Sequence, residues 1–248
     1  MNKIYINGTK NYYREYFLDD KKRPTIVISA GGAYQYTSPR ESEPVQEIYN
    51  EAGFHVIIVN YRETFEEAYP MPSTYYAYVL KLLRNDRRVG EIIAIGFSAG
   101  GHNVLEVTLH HENYGVRPDL IILGYPVVTS DPRYSHKGSY SNLLKEKDND
   151  QDLLKYLSFE TQVTEDAPDL FIWGTFTDES VNVMNSLLLI QAYKEKKRNV
   201  EYHMYPMGGH GLSVANEKSA EGNQTKISPY IGKWIYHSID WINYKLNK

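Results

Sequence analysis

The stretch Ile92-Ile93-Ala94-Ile95-Gly96-Phe97-Ser98-Ala99-Gly100 joins a short apolar run directly to a G-x-S-x-G motif. A helical segment follows it, so Ser98 is expected to stand in a tight turn between a strand and a helix. Glycines on both sides of the serine avoid contacts that a Cβ would make. The N-terminus of the following helix also favours developing negative charge. These features predict that Ser98 is a nucleophile at the edge of a sheet.

A glycine-rich strand–helix turn that binds phosphate is the alternative interpretation of this stretch. It is disfavoured because the chain contains neither G-x-G-x-x-G nor G-K-S/T.

The rest of the chain alternates between short β-branched runs and helical patterns, which is typical of βα units in a mainly parallel sheet. The predicted strands are 25–29, 55–60, 92–97, 120–123, 170–173 and 200–205. Because these runs are apolar almost throughout, we expect helices on both faces of the sheet. The predicted helices are 44–52, one that includes 75–83, 99–109, 183–196 and an amphipathic segment within 231–246. Residues 4–6 and 12–18 are expected to form an antiparallel pair at one edge.

We predict a single α/β domain over 1–248, since this length suits one large core. One region, about 125–169, shows no strand pattern and is rich in Ser, Asp, Lys, Tyr and Asn. It follows a strand and can overhang the carboxyl edge of the sheet, where ligands of open α/β folds bind. We therefore interpret it as an insertion that shapes the pocket.

A serine nucleophile needs a general base, and His210 is the best candidate among the histidines. It stands in Gly208-Gly209-His210-Gly211, a flexible segment directly after the last predicted strand. His102 lies four residues after Ser98 on the same predicted helix, so its side chain would point alongside the serine rather than back over it. The other histidines are His55, His110, His111, His136, His203 and His237.

The acid that orients the base should follow a strand between Ser98 and His210. Asp178 meets this condition, because it lies in the segment after the predicted strand 170–173. Glu179 is adjacent and remains the main rival. Asp178 could also serve as the N-cap of the helix that follows.

Backbone N–H groups must stabilise the oxyanion in acyl transfer. Ala99 would supply one group, and the segment 30–34 after the first parallel strand would supply the other. Gly32 and Ala33 are favoured as the donors within this segment, and the donor position could shift by one residue. Tyr34 and Tyr125 are predicted to contact the substrate, because tyrosine rings suit sugars and aromatic groups.

Composition excludes several other classes of function. The net charge of −4 and the pI near 6.1 provide no basic stripe for nucleic acid. The absence of cysteine excludes disulfides, thiolate chemistry and cysteine-ligated zinc. There is no H-E-x-x-H motif, no apolar run long enough to span a membrane, and no apolar signal-peptide region at the N-terminus. We therefore expect a cytoplasmic protein with neither metal nor cofactor, acting on a small-molecule ester, of undetermined oligomeric state.

Over roughly 25–216 the chain resembles the small acetyl-xylan-esterase-like and feruloyl-esterase-like α/β-hydrolases. The resemblance is carried by AGGAY (30–34), SPRESEP (38–44), GFSAGGH (96–102), RPD (117–119), GYPV (124–127) and GGHGL (208–212). It implies a cofactor-free carboxylesterase for small acyl groups, often acetyl groups on sugars, with Ser98, Asp178 and His210 as the triad. The chain departs from the family at Ala33, where a third glycine is usual, at Ala30, where a proline or histidine is usual, and at Thr177, where a second aspartate is common.

Three alternatives remain open from the sequence. An amidase such as an aryl-formamidase, or a peptidase, would use the same fold and residues. A catalytically silent hydrolase fold used for binding is the third, and it is disfavoured because such a protein has no need of an intact triad.

Overall fold

A twisted sheet of eight strands runs through the molecule in the computed structural model, which describes residues 3–6 and 8–247. The strands are β1 (Ile4–Tyr5), β2 (Tyr12–Tyr16), β3 (Arg23–Ser29), β4 (His55–Asn60), β5 (Val89–Phe97), β6 (Leu120–Gly124), β7 (Asp169–Thr175) and β8 (Val200–Tyr205). Their order across the sheet is β1-β2-β4-β3-β5-β6-β7-β8. β1 and β2 pair antiparallel, as β2 does with β4, and all other pairs are parallel.

Helices cover both faces of the sheet. They are α1 (Glu43–Glu51), α2 (Met71–Arg84), α3 (Ala99–Leu109), α4 (His111–Tyr114), α5 (Lys137–Leu144), α6 (Gln151–Tyr156), α7 (Met184–Glu195), α8 (Glu217–Ala220) and α9 (Trp234–Leu246). Successive strand residues serve opposite faces, as the pleat requires. In β3, Val27 packs into the core under α2, α3 and α7, while Ile26 and Ile28 pack into the core under α1 and α9.

The six predicted parallel strands and the N-terminal antiparallel pair are confirmed, and so is the α/β fold class. β5 begins at Val89, three residues before the apolar run, and α2 begins at Met71, ahead of the periodic pattern. The exposed Glu91 interrupts the apolar run of β5, and the first turn of α2 holds the buried Pro72 and Ser73, so the apolar pattern does not mark these ends. The region 125–169 contains no strand before β7 and holds the short helices α5 and α6.

The parallel strands end at a common edge, and this edge carries the predicted site. β3, β5, β7 and β8 lead into the segments that hold Gly32, Ser98, Asp178 and His210. Among the helices of the described residues, none is both long and apolar enough to cross a membrane.

Candidate active site

Ser98 occupies a strained turn between β5 and α3. Its backbone angles, φ of 51° and ψ of −122°, lie outside the regions that residues other than glycine normally adopt. Glycine is required on both sides of this turn. A Cβ on Gly100 would lie 2.0 Å from the carbonyl oxygen of Ser29, and one on Gly96 would lie 2.6 Å from that of Gly100. The turn therefore depends on the glycines of the motif, and it presents Ser98 at the carboxyl edge of the sheet.

His210 contacts Ser98 on one side and Asp178 on the other. Its Nε2 lies 2.9 Å from Oγ of Ser98, and its Nδ1 lies 2.7 Å from Oδ2 of Asp178. A carboxylate can only accept, so Nδ1–H donates to Asp178 and Nε2 is left to accept from the serine hydroxyl. This arrangement can remove the hydroxyl proton as Ser98 attacks a carbonyl carbon.

Asp178 is held in place by its second oxygen. Oδ1 accepts from the backbone N–H groups of Ser180 and Val181, each at 2.9 Å. The side chain is 2% exposed, whereas Glu179 is an exposed residue. The structure thus brings Asp178, and not its neighbour, into contact with His210. Asp178 is not the N-cap of the following helix, because α7 begins after Val183 without a side-chain cap, and Oδ1 binds N–H groups of the loop that precedes it.

The predicted oxyanion residues lie close to Ser98. Gly32 and Ala33 line a cavity of about 310 Å³ together with Ser98 and His210. Within the described chain, the N–H groups of Gly32 and Ala33 have no backbone or side-chain acceptor. Ala99 is the first residue of α3, where an N–H group has no partner within the helix. Ala33 has a φ of 52°, in the left-handed region that favours glycine.

The two tyrosines predicted to contact substrate lie inside the protein. The Tyr34 ring is 1% exposed, and its hydroxyl donates to Nδ1 of His102 at 2.9 Å. Tyr125 is 4% exposed and packs edge-on against His210, with ring centroids 4.8 Å apart. Neither ring lines the cavity beside Ser98, because both are used in packing. The structure therefore does not place these rings where they were expected to contact the substrate. Tyr125 instead packs against His210, and the hydroxyl of Tyr34 binds His102.

His102, set aside as a base from the sequence, is a core residue. Its Nε2–H donates to the carbonyl oxygen of Leu157 at 3.2 Å, while Nδ1 accepts from Tyr34. Burial lowers the pKa of His102 to about 4, so the ring is neutral near pH 7. Through its bond to Leu157, His102 connects α3 to the insertion, and it forms no hydrogen bond with His210 in the described chain.

Glu41 is a buried group of the site that the sequence analysis did not identify. It is 3% exposed, Oε2 accepts from the N–H of Gly31 at 2.7 Å, and Oε1 accepts from the Tyr125 hydroxyl at 2.7 Å. The sequence held a signal in SPRESEP (38–44), directly after the glycine loop. A glutamate just before a helix is ordinarily exposed, so the motif alone did not indicate burial.

Three basic side chains also line the cavity: Arg40, His136 and Lys226. Arg40 donates to the carbonyl oxygen of Gly211 at 3.3 Å, and Lys226 lies 3.5 Å from that of His210. Burial and the charge of Arg40 lower the pKa of Lys226. His136 comes from the predicted insertion. Nothing in the sequence around these residues distinguished them from surface charges.

The described residues contain no group of three or more histidine, aspartate or glutamate side chains placed to hold a metal ion.

Comparison with known proteins identifies the family. A sequence profile described as alpha/beta hydrolase fold matches residues 26–213, which is about three quarters of the chain. The chain belongs to the alpha/beta hydrolase fold family. Similarity to the endo-1,4-beta-xylanase B of Butyrivibrio fibrisolvens reaches 31% identity over 223 residues, covering 82% of this chain and 35% of that protein.

Two further proteins, one matched by sequence and one by structure, are similar to this chain. The acetylxylan esterase of Xylanibacter ruminicola is 28% identical over 199 residues, covering 77% of this chain and 41% of that protein. The chain thus spans between a third and a half of the length of these curated relatives. The crystal structure of the carboxylesterase Cest-2923 from Lactobacillus plantarum is similar with a TM-score of 0.85 and 25% identity, covering 98% of this chain and 97% of that one.

Proposed function

We propose that this alpha/beta hydrolase is a serine carboxylesterase for small acyl esters, with acetyl groups on carbohydrates as a substrate class. The observation that carries the proposal is the continuous contact from Ser98 through His210 to Asp178, at 2.9 and 2.7 Å. A binding protein has no use for a strained serine turn, a histidine and a buried carboxylate in hydrogen-bonding register.

In the proposed reaction Ser98 attacks the ester carbonyl while His210 accepts its proton. The N–H groups of Gly32 or Ala33 and of Ala99 stabilise the oxyanion. His210 then protonates the oxygen of the departing alcohol, which leaves an acyl group on Ser98. Water, deprotonated by His210, attacks the acyl carbon, and the bond to Oγ of Ser98 then breaks as His210 returns the proton to Oγ, which releases the acid. Asp178 keeps Nδ1 protonated and stabilises the imidazolium formed in each step.

Cavity size and the named relatives support the substrate class. A cavity of about 310 Å³ lies at the small end of the range for ligand sites, which suits an acetyl-sized group. Its lining includes basic and hydroxyl side chains, which suit a polar alcohol better than a long alkyl chain. One relative is an acetylxylan esterase, and the chain covers nearly all of a solved carboxylesterase.

Substitution of the nucleophile tests the proposal. We expect Ser98→Ala to retain the wild-type circular dichroism spectrum and to lose p-nitrophenyl acetate hydrolysis by about 10⁴-fold or more. Ser141→Ala is the matched control, because Ser141 is exposed and lies on α5. A fluorophosphonate should add its mass to the wild type and to the control, but not to Ser98→Ala.

A folded Ser98→Ala variant that keeps a tenth of wild-type activity would contradict the assignment. Assays with an acetylated methyl pyranoside and with an N-formyl arylamine, run beside the p-nitrophenyl ester, separate an esterase from an amidase. Faster turnover of the formyl amide would favour the amidase.

A further inference from the structure

His136 brings the insertion to the cavity that contains Ser98 and His210. It is the N-cap of α5 and is partly buried. The proposed mechanism assigns it no role. His136 therefore adds a polar ring to the cavity of Ser98 and His210, and the triad mechanism does not explain its presence.

The contacts of His136 determine which ring nitrogen carries the proton. Nδ1 lies 3.2 Å from the backbone nitrogen of Ser139 and 2.8 Å from Oγ of the same residue. A backbone N–H can only donate, so Nδ1 must accept and cannot itself be protonated. Burial and the neighbouring His210 lower the pKa of His136, which favours the neutral ring. The neutral ring must then carry its proton on Nε2.

The Nε2–H group of His136 has no acceptor among residues 3–6 and 8–247. Because Nδ1 is engaged by the first turn of α5, Nε2 is the ring nitrogen that remains for a ligand in the cavity that His136 lines. A donor of fixed tautomer in a substrate cavity selects for an acceptor on the ligand.

The position of His136 relative to the triad indicates which part of the ester it meets. His136 lines the same cavity as Ser98 and His210, and the charges of His210 and Asp178 influence the pKa of its ring. In the proposed mechanism the departing alcohol oxygen receives its proton from His210. We therefore place the alcohol part towards His210, in the cavity that His136 also lines, and the carbonyl oxygen towards Gly32 and Ala33.

We propose that His136 is a specificity-determining residue that donates its Nε2–H to a hydroxyl or ring oxygen of the alcohol part. The site then favours acyl esters of polyhydroxylated alcohols over esters of plain aryl alcohols. This inference rests on the esterase function proposed above and assigns the alcohol side of its substrate.

A His136→Asn variant separates the two uses of this side chain. Asparagine is a favoured N-cap and keeps the start of α5, but its shorter side chain has no group in place of Nε2–H. We expect kcat/KM for a mono-acetylated methyl pyranoside to fall about fivefold to tenfold, as for the loss of one hydrogen bond between neutral groups. For phenyl acetate, whose alcohol has no second oxygen, kcat/KM should stay within about twofold of the wild type.

Ser139→Ala is the matched control for the cap. It removes the hydroxyl donor to Nδ1 but keeps the backbone N–H and the imidazole, so both esters should be hydrolysed with nearly the wild-type ratio. His136→Phe removes the donor and the cap together, and it should reproduce the change of ratio along with a lower melting temperature.

An equal fall on both esters in His136→Asn, or an unchanged ratio, would overturn the inference and leave the esterase function standing. A wild-type protein that hydrolyses neither ester would overturn the proposed function, and the role of His136 with it.

Discussion

The hydroxyl group of Tyr125 lies between Oε1 of Glu41, at 2.7 Å, and the backbone nitrogen of Ser213, at 3.0 Å. The hydroxyl donates to the carboxylate and accepts from the N–H of the loop that follows His210. Glu41 also accepts from the N–H of Gly31 in the glycine loop. Burial beside Glu41 raises the pKa of Tyr125, so the hydroxyl keeps its proton. These contacts connect the loop expected to hold the oxyanion with the loop that holds the base.

Glu41 is therefore expected to be a positioning residue. In Glu41→Gln the amide keeps an oxygen for one neighbour but presents N–H groups to the other, so one buried donor loses its acceptor. We expect kcat for p-nitrophenyl acetate to fall about 10-fold to 100-fold with KM changed much less, and the free energy of unfolding to fall by about 1–3 kcal/mol. Steady-state kinetics and urea unfolding measure the two effects.

Glu51→Gln, an exposed change at the end of α1, is the control and should alter neither quantity. Tyr125→Phe should show a smaller loss of kcat, because its ring still packs against His210. Wild-type kcat in Glu41→Gln would show that the carboxylate does not hold the loop in its active position.

Substitution of the acid distinguishes Asp178 from its neighbour. Asp178→Asn should lower kcat by roughly 10³- to 10⁴-fold, because an amide stabilises the wrong tautomer of His210. Glu179→Gln is the matched control and should stay close to the wild type, since Glu179 is exposed. Larger damage from Glu179→Gln would move the assignment by one residue.

His102 should make stability depend on pH. Its pKa of about 4 in the folded protein lies below the ordinary value of 6.5, so the unfolded chain binds the proton more readily between these values. The contribution of neutral His102 is present above pH 6.5 and is lost as the pH falls towards 4. Over this window the loss is on the order of 3 kcal/mol. Urea unfolding at a series of pH values measures it.

A His102→Gln variant separates the contribution of His102 to the free energy of unfolding from that of the carboxylates, which titrate over the same pH range. The variant should be less stable near pH 7, and its free energy of unfolding should fall less steeply between pH 6.5 and 4. Parallel slopes in the two proteins would exclude His102 as the source of the pH dependence.

Acyl length provides a test of the small cavity. The lining near Ser98 is polar, so added methylenes of a longer chain find little apolar surface, and each would contribute about 0.8 kcal/mol only if buried. We expect kcat/KM for p-nitrophenyl esters to fall at least about 10-fold from acetate or butyrate to octanoate. A rise towards octanoate would reject the preference for small acyl groups and would not affect the triad.

Much of the fold and part of the site could be predicted from the sequence, because the signals involved are local. Apolar runs of four to six residues indicated the parallel strands, and helical patterns indicated the longer helices α1, α2, α3, α7 and α9. The turn at Ser98 could be predicted from five residues, although only Gly96 meets a steric demand within the turn, while Gly100 is required by the close approach of Ser29 and Ala30. His210 followed from its place after the last strand.

Other relationships were decided only by the tertiary structure, since they join residues far apart in the chain. Glu41 and Tyr125 are 84 residues apart, and their burial depends on packing that no local pattern encodes. The contact of His210 with Asp178 rather than Glu179 depends on the direction of side chains in one turn. The side chains of Tyr34 and Tyr125 point into the protein, where their hydroxyl groups form hydrogen bonds with buried His102 and Glu41. The sequence by itself determined the strands, the longer helices and the serine turn, while the folded chain decided which polar groups face the cavity, because that choice depends on long-range packing.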